Sequence, residues 1–275
     1  MTVPNFIICG AQRSGTTSLY HYLAQHPDIF MAPRKETHYF SKNCAHGPAW
    51  YEQHFAGSES FKVIGEASPT YMDGQDVPAR MAKLIPDAKL CFLLRNPVER
   101  AYSAYWFGLS FGQDPEQSFS DAIRTQAGYA WYVKRGFYHT HIQRFLEHFD
   151  QMHFILTEEL KDSPLTQVAE CFRFLGVDTD FIPDTSQRFN PSQVASTKST
   201  LFLRRKWRQT KRLLLKTRWF SPALRRKVAG FSTAVSGRYS NQKPPMPLQD
   251  RAYLAEIYQE HNAALAEFLG RDLPW

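Results

Sequence analysis

Two short stretches of this chain carry side chains suited to gripping anions. The first is Gly10-Ala11-Gln12-Arg13-Ser14-Gly15-Thr16-Thr17. A glycine, four residues, a second glycine and two more form the frame of a phosphate-binding loop. Such a loop turns backbone N–H groups and a helix N-terminus toward an anion. Thr16 stands where the nucleoside-triphosphate version has lysine, and the cation has moved to Arg13. The loop therefore predicts a phosphorylated ligand other than ATP. The second stretch is Leu93-Leu94-Arg95-Asn96-Pro97-Val98-Glu99-Arg100-Ala101-Tyr102-Ser103. Here Arg95 supplies a bidentate fork and Ser103, two turns into the next helix, a hydroxyl that completes a phosphate shell. Taken singly, Arg95 also fits a surface ion pair and Ser103 a helix-face serine. Taken with the loop, they specify a ligand with phosphates at two places.

These side chains need a scaffold that brings them together. Asn5–Cys9 is short, apolar and closed by glycine, as a buried parallel strand should be, and Thr16–Gln25 has helical spacing at Leu19, Tyr20 and Leu23. Phe61–Gly65 and Leu90–Leu94 read as further strands, the latter covered on both faces. Asn96 caps and Pro97 opens a helix that runs to about Ser110. Helices at Tyr138–Phe149 and Leu165–Leu175, a strand at His153–Leu156 and a last helix from Leu248 to Leu269 complete the pattern. Strands alternating with helices predict an α/β fold, a doubly wound parallel sheet flanked by helices, in one domain over residues 1–275. Ligands bind such sheets outside the carboxyl ends of the strands. Gly10, Glu66 and Arg95 fall just past such ends in this reading, so they are expected at one cleft.

With 43% hydrophobic and 15% aromatic residues, the chain has the makings of a packed core, which excludes a disordered protein. No apolar run reaches the 18 or so residues of a membrane span, and Met1–Asn5 has no basic region of a signal peptide. The four cysteines show no metal spacing, so free thiols in a reducing, cytoplasmic compartment are expected. The net charge of +7 is local: residues 198–249 hold 14 Lys and Arg and no Asp or Glu, against 19 basic and 26 acidic residues elsewhere. Trp207, Leu213-Leu214-Leu215, Trp219 and Phe220 lie among these cations. That mixture predicts a basic helical lid over 198–243, whose amphipathic part at 198–230 is able to contact an anionic membrane surface peripherally, at the inner face. No nucleic-acid reader motif accompanies the charge, and no nucleic acid is expected.

The two phosphate motifs resemble those of sulfotransferases that use 3′-phosphoadenosine 5′-phosphosulfate (PAPS). Gly10–Thr17 is similar to their 5′-phosphosulfate loop and Leu94–Ser103 to their 3′-phosphate motif. The likeness is greatest to the branch that modifies carbohydrates, heparan sulfate included, and extends to the terminal Phe268–Trp275. It implies PAPS as donor, adenosine 3′,5′-bisphosphate (PAP) as product and no metal. No Asp ends the Leu90–Leu94 strand, where a metal-holding carboxylate would be sought. Arg13 and the N–H groups of Ser14, Gly15, Thr16 and Thr17 would face the leaving phosphate oxygen, with Gln12 beside them, while Arg95 and Ser103 fix the 3′-phosphate. The resemblance also places a general base at Glu36, in Arg34-Lys35-Glu36-Thr37-His38-Tyr39-Phe40, with His38 as the rival and Lys35 beside the acceptor. Glu66 and Ser68 match a segment next to the acceptor, though Ala67 stands where heparan enzymes have lysine. In that segment an acceptor-orienting and a turn-stabilising role are both open. Tyr138 and Arg238 match stretches near the cofactor, and Tyr138 also fits a core aromatic.

The expected reaction is in-line sulfuryl transfer to a hydroxyl, less readily an amine, of a carbohydrate, glycolipid or small-molecule alcohol. A P-loop nucleotide kinase would need a lysine at position 16 and a metal-holding Asp. A non-catalytic nucleotide-binding module recruited through the basic segment is the other alternative.

Overall fold

The computed structural model describes residues 2–110, 118–187, 194–195, 239–240 and 243–275. Five parallel strands make the main sheet: β1 (Phe6–Gly10), β2 (Ile29–Met31), β3 (Val63–Ala67), β4 (Lys89–Leu94) and β5 (Met152–Leu156), in the order β2-β3-β1-β4-β5. The helices are α1 (Thr16–Leu23), α2 (Pro48–Glu52), α3 (Val77–Leu84), α4 (Pro97–Ser110), α5 (Phe119–Ala122), α6 (Gln126–Gly128), α7 (Tyr138–Leu146), α8 (Thr157–Asp162), α9 (Pro164–Leu175) and α10 (Leu248–Leu269). Two-residue strands β6 (Val194–Ala195) and β7 (Tyr239–Ser240) pair antiparallel. The α/β, doubly wound reading holds.

Alternate residues of the central strands feed two cores. Ile7, Cys9, Leu90, Phe92 and Leu94 pack with Met81 of α3 and Ile142 and Phe145 of α7. Phe6, Ile8, Cys91 and Leu93 point the other way, to Leu19 and Leu23 of α1 and Val168, Phe172 and Leu175 of α9. Both faces are therefore sealed, as the continuous apolar runs demanded. A third cluster joins α4 to α10 through Val98, Ala101, Tyr105, Leu254 and Tyr258. Each fully buried Phe or Leu contributes about 1.5–3 kcal/mol to this scaffold.

After β1 the chain builds toward one edge and then crosses to β4 on the other side of β1. The carboxyl ends of β1 and β4 consequently flank a crevice, the place where such sheets bind ligands. Asn96 caps α4 as expected, its Oδ1 accepting from Val98 N at 3.0 Å and Glu99 N at 3.3 Å. Gly176 and Gly270 end α9 and α10 in the left-handed conformation.

One boundary differs with consequence. β3 begins at Val63, not Phe61, where it pairs with the unanticipated three-residue strand β2 from Ile29↔Val63 to Met31↔Gly65, and it runs on to Ala67 because it pairs with β1 from Phe6↔Gly65 to Ile8↔Ala67. Glu66 accordingly lies within the strand instead of just past its end. Among the described residues, no helix is long and apolar enough to cross a membrane.

Candidate active site

The Gly10–Thr17 loop leaves β1 at the centre of the sheet. A Cβ on Gly10 would meet Met72 Cβ at 2.7 Å and the Pro69 carbonyl oxygen at 2.9 Å, so only glycine lets the loop pass beneath residues 69–72. Ala11 N donates to Leu93 O at 2.7 Å, tying the loop to β4. Gly15, at φ +92°, turns the chain into α1 with no side-chain cap, which leaves the helix N-terminus to the cleft. The cleft holds about 600 Å³. Gln12, Arg13, Gly15, Thr16 and Thr17 line it together with Glu36, Pro69, Arg95 and Phe107, and Tyr22, Thr157, Lys161, Thr185 and Ser186 form its far wall.

Arg13 sits at the focus. Its Nε donates to Ser103 Oγ at 3.3 Å and its guanidinium lies 4.4 Å from the Phe107 ring centroid. Burial, joined by the Arg95 charge and opposed by Glu36, pushes its pKa down to about 10, so it stays cationic at neutral pH. Arg95 Nη1 donates to the Arg13 carbonyl at 3.1 Å, while Arg95 Nε is buried without a partner. That orphaned donor beside a second guanidinium fits an anion at this place. Ser103 is itself buried; its hydroxyl accepts from Arg13 and keeps its own proton to donate.

Two expected cofactor contacts need revision or refinement. Tyr138 is fully buried and donates to the Arg95 carbonyl at 2.9 Å, so it braces Arg95 and does not face the cleft. Gln12 lines the cleft but is held from outside, its Oε1 accepting from Arg135 Nη1 at 3.0 Å. Arg135 is in turn paired with Asp73 at 2.9 Å and stacked over Trp131 at 3.7 Å. Arg238 and the basic stretch at 198–230 lie outside the described residues.

The expected base Glu36 and its rival His38 lie in the turn before Tyr39. Glu36 Oε1 accepts from Lys35 Nζ at 3.0 Å, and Glu36 Oε2 lies 3.6 Å from His38 Nε2. Nδ1 of His38 is 3.0 Å from Thr70 Oγ1. Burial holds His38 below the ordinary imidazole value, against the pull of Glu36, so the ring is neutral at pH 7. Glu36 and His38, at φ +63° and +52°, and Arg13, at φ +73°, are the non-glycine residues with left-handed backbone among those described. Such conformations cost about 1–3 kcal/mol each and gather at functional sites. Here they coincide with the three residues expected to act.

Glu66 and Ser68 do not face an acceptor. Both are fully buried, and Glu66 accepts hydrogen bonds from Thr37, Ser68, Tyr71 and Tyr51. Of the two roles left open, their contacts fit the turn-stabilising one, because Glu66 near the end of β3 and Ser68 just past it bond to Thr37 and to the His38 amide of the Glu36 turn. Lys35 stays half-buried against the Glu36 carboxylate.

Three neighbours were missed from sequence. Thr157 Oγ1 lies 2.8 Å from both the Ser14 and the Leu94 carbonyl oxygens and joins the loop to β4 and β5. Its position just past Leu156, at a strand's carboxyl end, was the available signal. Phe107 follows Ser103 by one helical turn, a spacing that also points it at Arg13. Lys243 lies in no recognised motif; burial and the charges of Arg95 and Arg13 push its pKa down to about 8. Among the described residues, no group of His, Cys, Asp or Glu is arranged to hold a metal ion.

Fold and site together define a transferase-type α/β domain, with an arginine-bearing phosphate loop facing a carboxylate–imidazole pair. The sequence profile of the sulfotransferase domain matches residues 3–265, and the chain belongs to that family. It is similar to a sulfotransferase of known structure from Alicyclobacillus acidocaldarius, at 27% identity and a TM-score of 0.73, over 99% of this chain and 98% of that one. The sulfotransferase domain of the curacin biosynthetic pathway shares the fold at 16% identity and a TM-score of 0.52, each chain covered in full. Among curated proteins, the mouse bifunctional heparan sulfate N-deacetylase/N-sulfotransferase 4 is 28% identical over 98% of this chain and 30% of its own length. The membrane-associated sulfotransferase kil1 of Dictyostelium discoideum is 39% identical over 46% of this chain and 29% of its own. The chain thus spans under a third of the length of these curated relatives.

Proposed function

We propose that this sulfotransferase domain moves a sulfuryl group from PAPS to a hydroxyl, or an amine, of a carbohydrate acceptor, with Glu36 as general base. The observation that carries this reading is the convergence of Arg13 and Glu36 on one cleft, both held in left-handed backbone. The donor, when bound, supplies an activated sulfuryl group and a phosphate that leaves. Arg13, the N–H groups at the start of α1 and the hydroxyls of Thr16 and Thr17 are suited to hold that phosphate and the negative charge that grows on it. Arg95, Lys243 and the Ser103 hydroxyl suit the 3′-phosphate. Glu36 takes the acceptor proton as the acceptor oxygen attacks sulfur and the bond from sulfur to the leaving phosphate oxygen breaks. Neutral His38 supports Glu36 from 3.6 Å.

Relatives whose names specify heparan sulfate favour a carbohydrate acceptor, and the ion pair of Lys35 with Glu36 supports a role for Lys35 beside that acceptor. Glycolipids and small alcohols fit the same cleft chemistry. The free thiols Cys9, Cys44, Cys91 and Cys171 favour a reducing, cytoplasmic setting. The test combines PAP titration without Mg²⁺ with transfer from radiolabelled PAPS to a panel of glycans. Micromolar PAP binding, together with labelled glycan that disappears in Glu36→Gln at unchanged PAP affinity, is the expected result. Tight Mg²⁺–ATP binding with no response to PAP would overturn it.

A further inference from the structure

Glu66 is an acid that sulfuryl transfer leaves without a task. Its carboxyl group is fully buried, out of reach of donor and acceptor. Burying a carboxylate is costly unless its oxygens are well hydrogen-bonded, and an apolar residue is usually the more stable choice at such a place. Four hydroxyls surround this one: Ser68 Oγ at 2.5 Å, Thr37 Oγ1 at 2.6 Å, Tyr71 OH at 3.0 Å, and Tyr51 OH. Burial and the Glu66 charge hold both phenols well above their ordinary pKa, so they remain protonated donors.

The direction of these bonds shows what they restrain. Thr37 stands between the two strained residues, Glu36 and His38, and its hydroxyl donates to Glu66. Ser68, also oriented by Glu66, accepts from the His38 backbone N–H at 3.2 Å. Glu36 N donates to Ala67 O at 3.0 Å, and Asn43 Nδ2 donates to Thr37 O at 2.7 Å. The Glu36 and His38 amides and the Thr37 hydroxyl are thus fastened toward β3 or the segment after it, and the Thr37 carbonyl toward Asn43, while the Glu36 carboxylate turns to Lys35 and His38. Two left-handed residues flanking one threonine relax unless their surroundings hold them.

We propose that Glu66 is a positioning residue for the base: through the hydroxyls of Thr37 and Ser68 it keeps the Glu36 carboxylate aimed into the cleft. This rests on Glu36 being the base. A misplacement of about 1 Å costs a reaction of this kind about 100-fold, so the effect belongs in kcat and not in donor affinity.

The experiment uses the full chain with the variants Thr37→Val, Thr37→Ser and Glu66→Gln, and Thr37→Val again in a Glu36→Gln background. PAPS turnover and PAP affinity are measured for each. Thr37→Val, which keeps the shape and removes the donor, should lower kcat by about 10–100-fold and leave the PAP Kd within about threefold. Thr37→Ser should restore kcat to within about threefold of wild type. Glu66→Gln should resemble Thr37→Val. In the Glu36→Gln background, Thr37→Val should cost less than about threefold, since no base remains to be misplaced. The proposal is overturned if Thr37→Val alone stays within threefold of wild type, or if it costs the same in both backgrounds. Wild-type turnover in Glu36→Gln would instead remove the base assignment itself, and the proposal with it.

Discussion

Arg95→Ala isolates one half of the donor site. Arg95 Nη1 holds the Arg13 carbonyl at 3.1 Å and its Nε is buried without a partner. A charge-assisted bond from that fork to a phosphate contributes about 1.5–3 kcal/mol, and the equally charge-assisted tie that holds the Arg13 carbonyl falls in the same range of about 1.5–3 kcal/mol. Relief of repulsion offsets part of the loss, because the Arg95 charge helps to lower the Arg13 pKa. A net of about 3 kcal/mol remains, or about a 100-fold rise in Kd. Calorimetric titration with PAP at pH 7, without Mg²⁺, measures it directly. Arg95→Lys keeps the charge but not the fork and should lose about tenfold. A Kd for Arg95→Ala within threefold of wild type would refute the assignment of Arg95 to a phosphate and the energetic reasoning with it.

Lys243 gives the donor site a pH dependence. An incoming anion raises its pKa above the value of about 8 in the free protein, so bound protein keeps the proton to higher pH. PAP affinity should therefore be complete below about pH 8 and fall as pH rises through it. Lys243→Met should flatten this limb in the same titration. Gly10→Ala forces a Cβ against Met72 Cβ at 2.7 Å and Pro69 O at 2.9 Å, and should cost about 1–3 kcal/mol in urea unfolding while weakening PAP. His38→Ala should lower kcat about tenfold, against a loss of about 1,000-fold for Glu36→Gln, with PAP affinity unchanged in both. A dead His38→Ala beside an active Glu36→Gln would exchange the two roles.

What was legible in the sequence is what local spacing determines. The apolar run, the glycine frame and Asn96-Pro97 each specify their own geometry, and β1, the phosphate loop and the α4 cap follow from them. β2 was invisible because three residues carry no periodicity. β3 was drawn two residues early, and its far end, set by pairing with β1 as far as Ile8↔Ala67, lies beyond the glycine that closed it in the sequence, so Glu66 looked like a cleft residue. Its burial depends on Thr37, Tyr51 and Tyr71 arriving from separate elements, which no local pattern encodes. Tyr138 misled for the same reason: a tyrosine at a helix start reads alike whether it meets a ligand or the Arg95 carbonyl. Arg13 was read from the glycine frame, and Glu36 and His38 were found through the resemblance. Their shared left-handed backbone became visible only in three dimensions.

The segment from Glu66 to Met72 touches both halves of the reaction. Ser68 and Thr70 contact His38 on one side; on the other, Ser68 N and Met72 N donate to Ile8 O at 3.2 Å and Cys9 O at 2.9 Å, and Pro69 and Met72 close over Gly10. One run of covalent bonds therefore joins the phosphate loop to the turn that carries Glu36. In the proposed reaction, a shift of the donor loop would pass along this run to the base turn fastened to it. The spacing that in-line transfer needs would then be set as by the jaws of a caliper, independently of the acceptor wall.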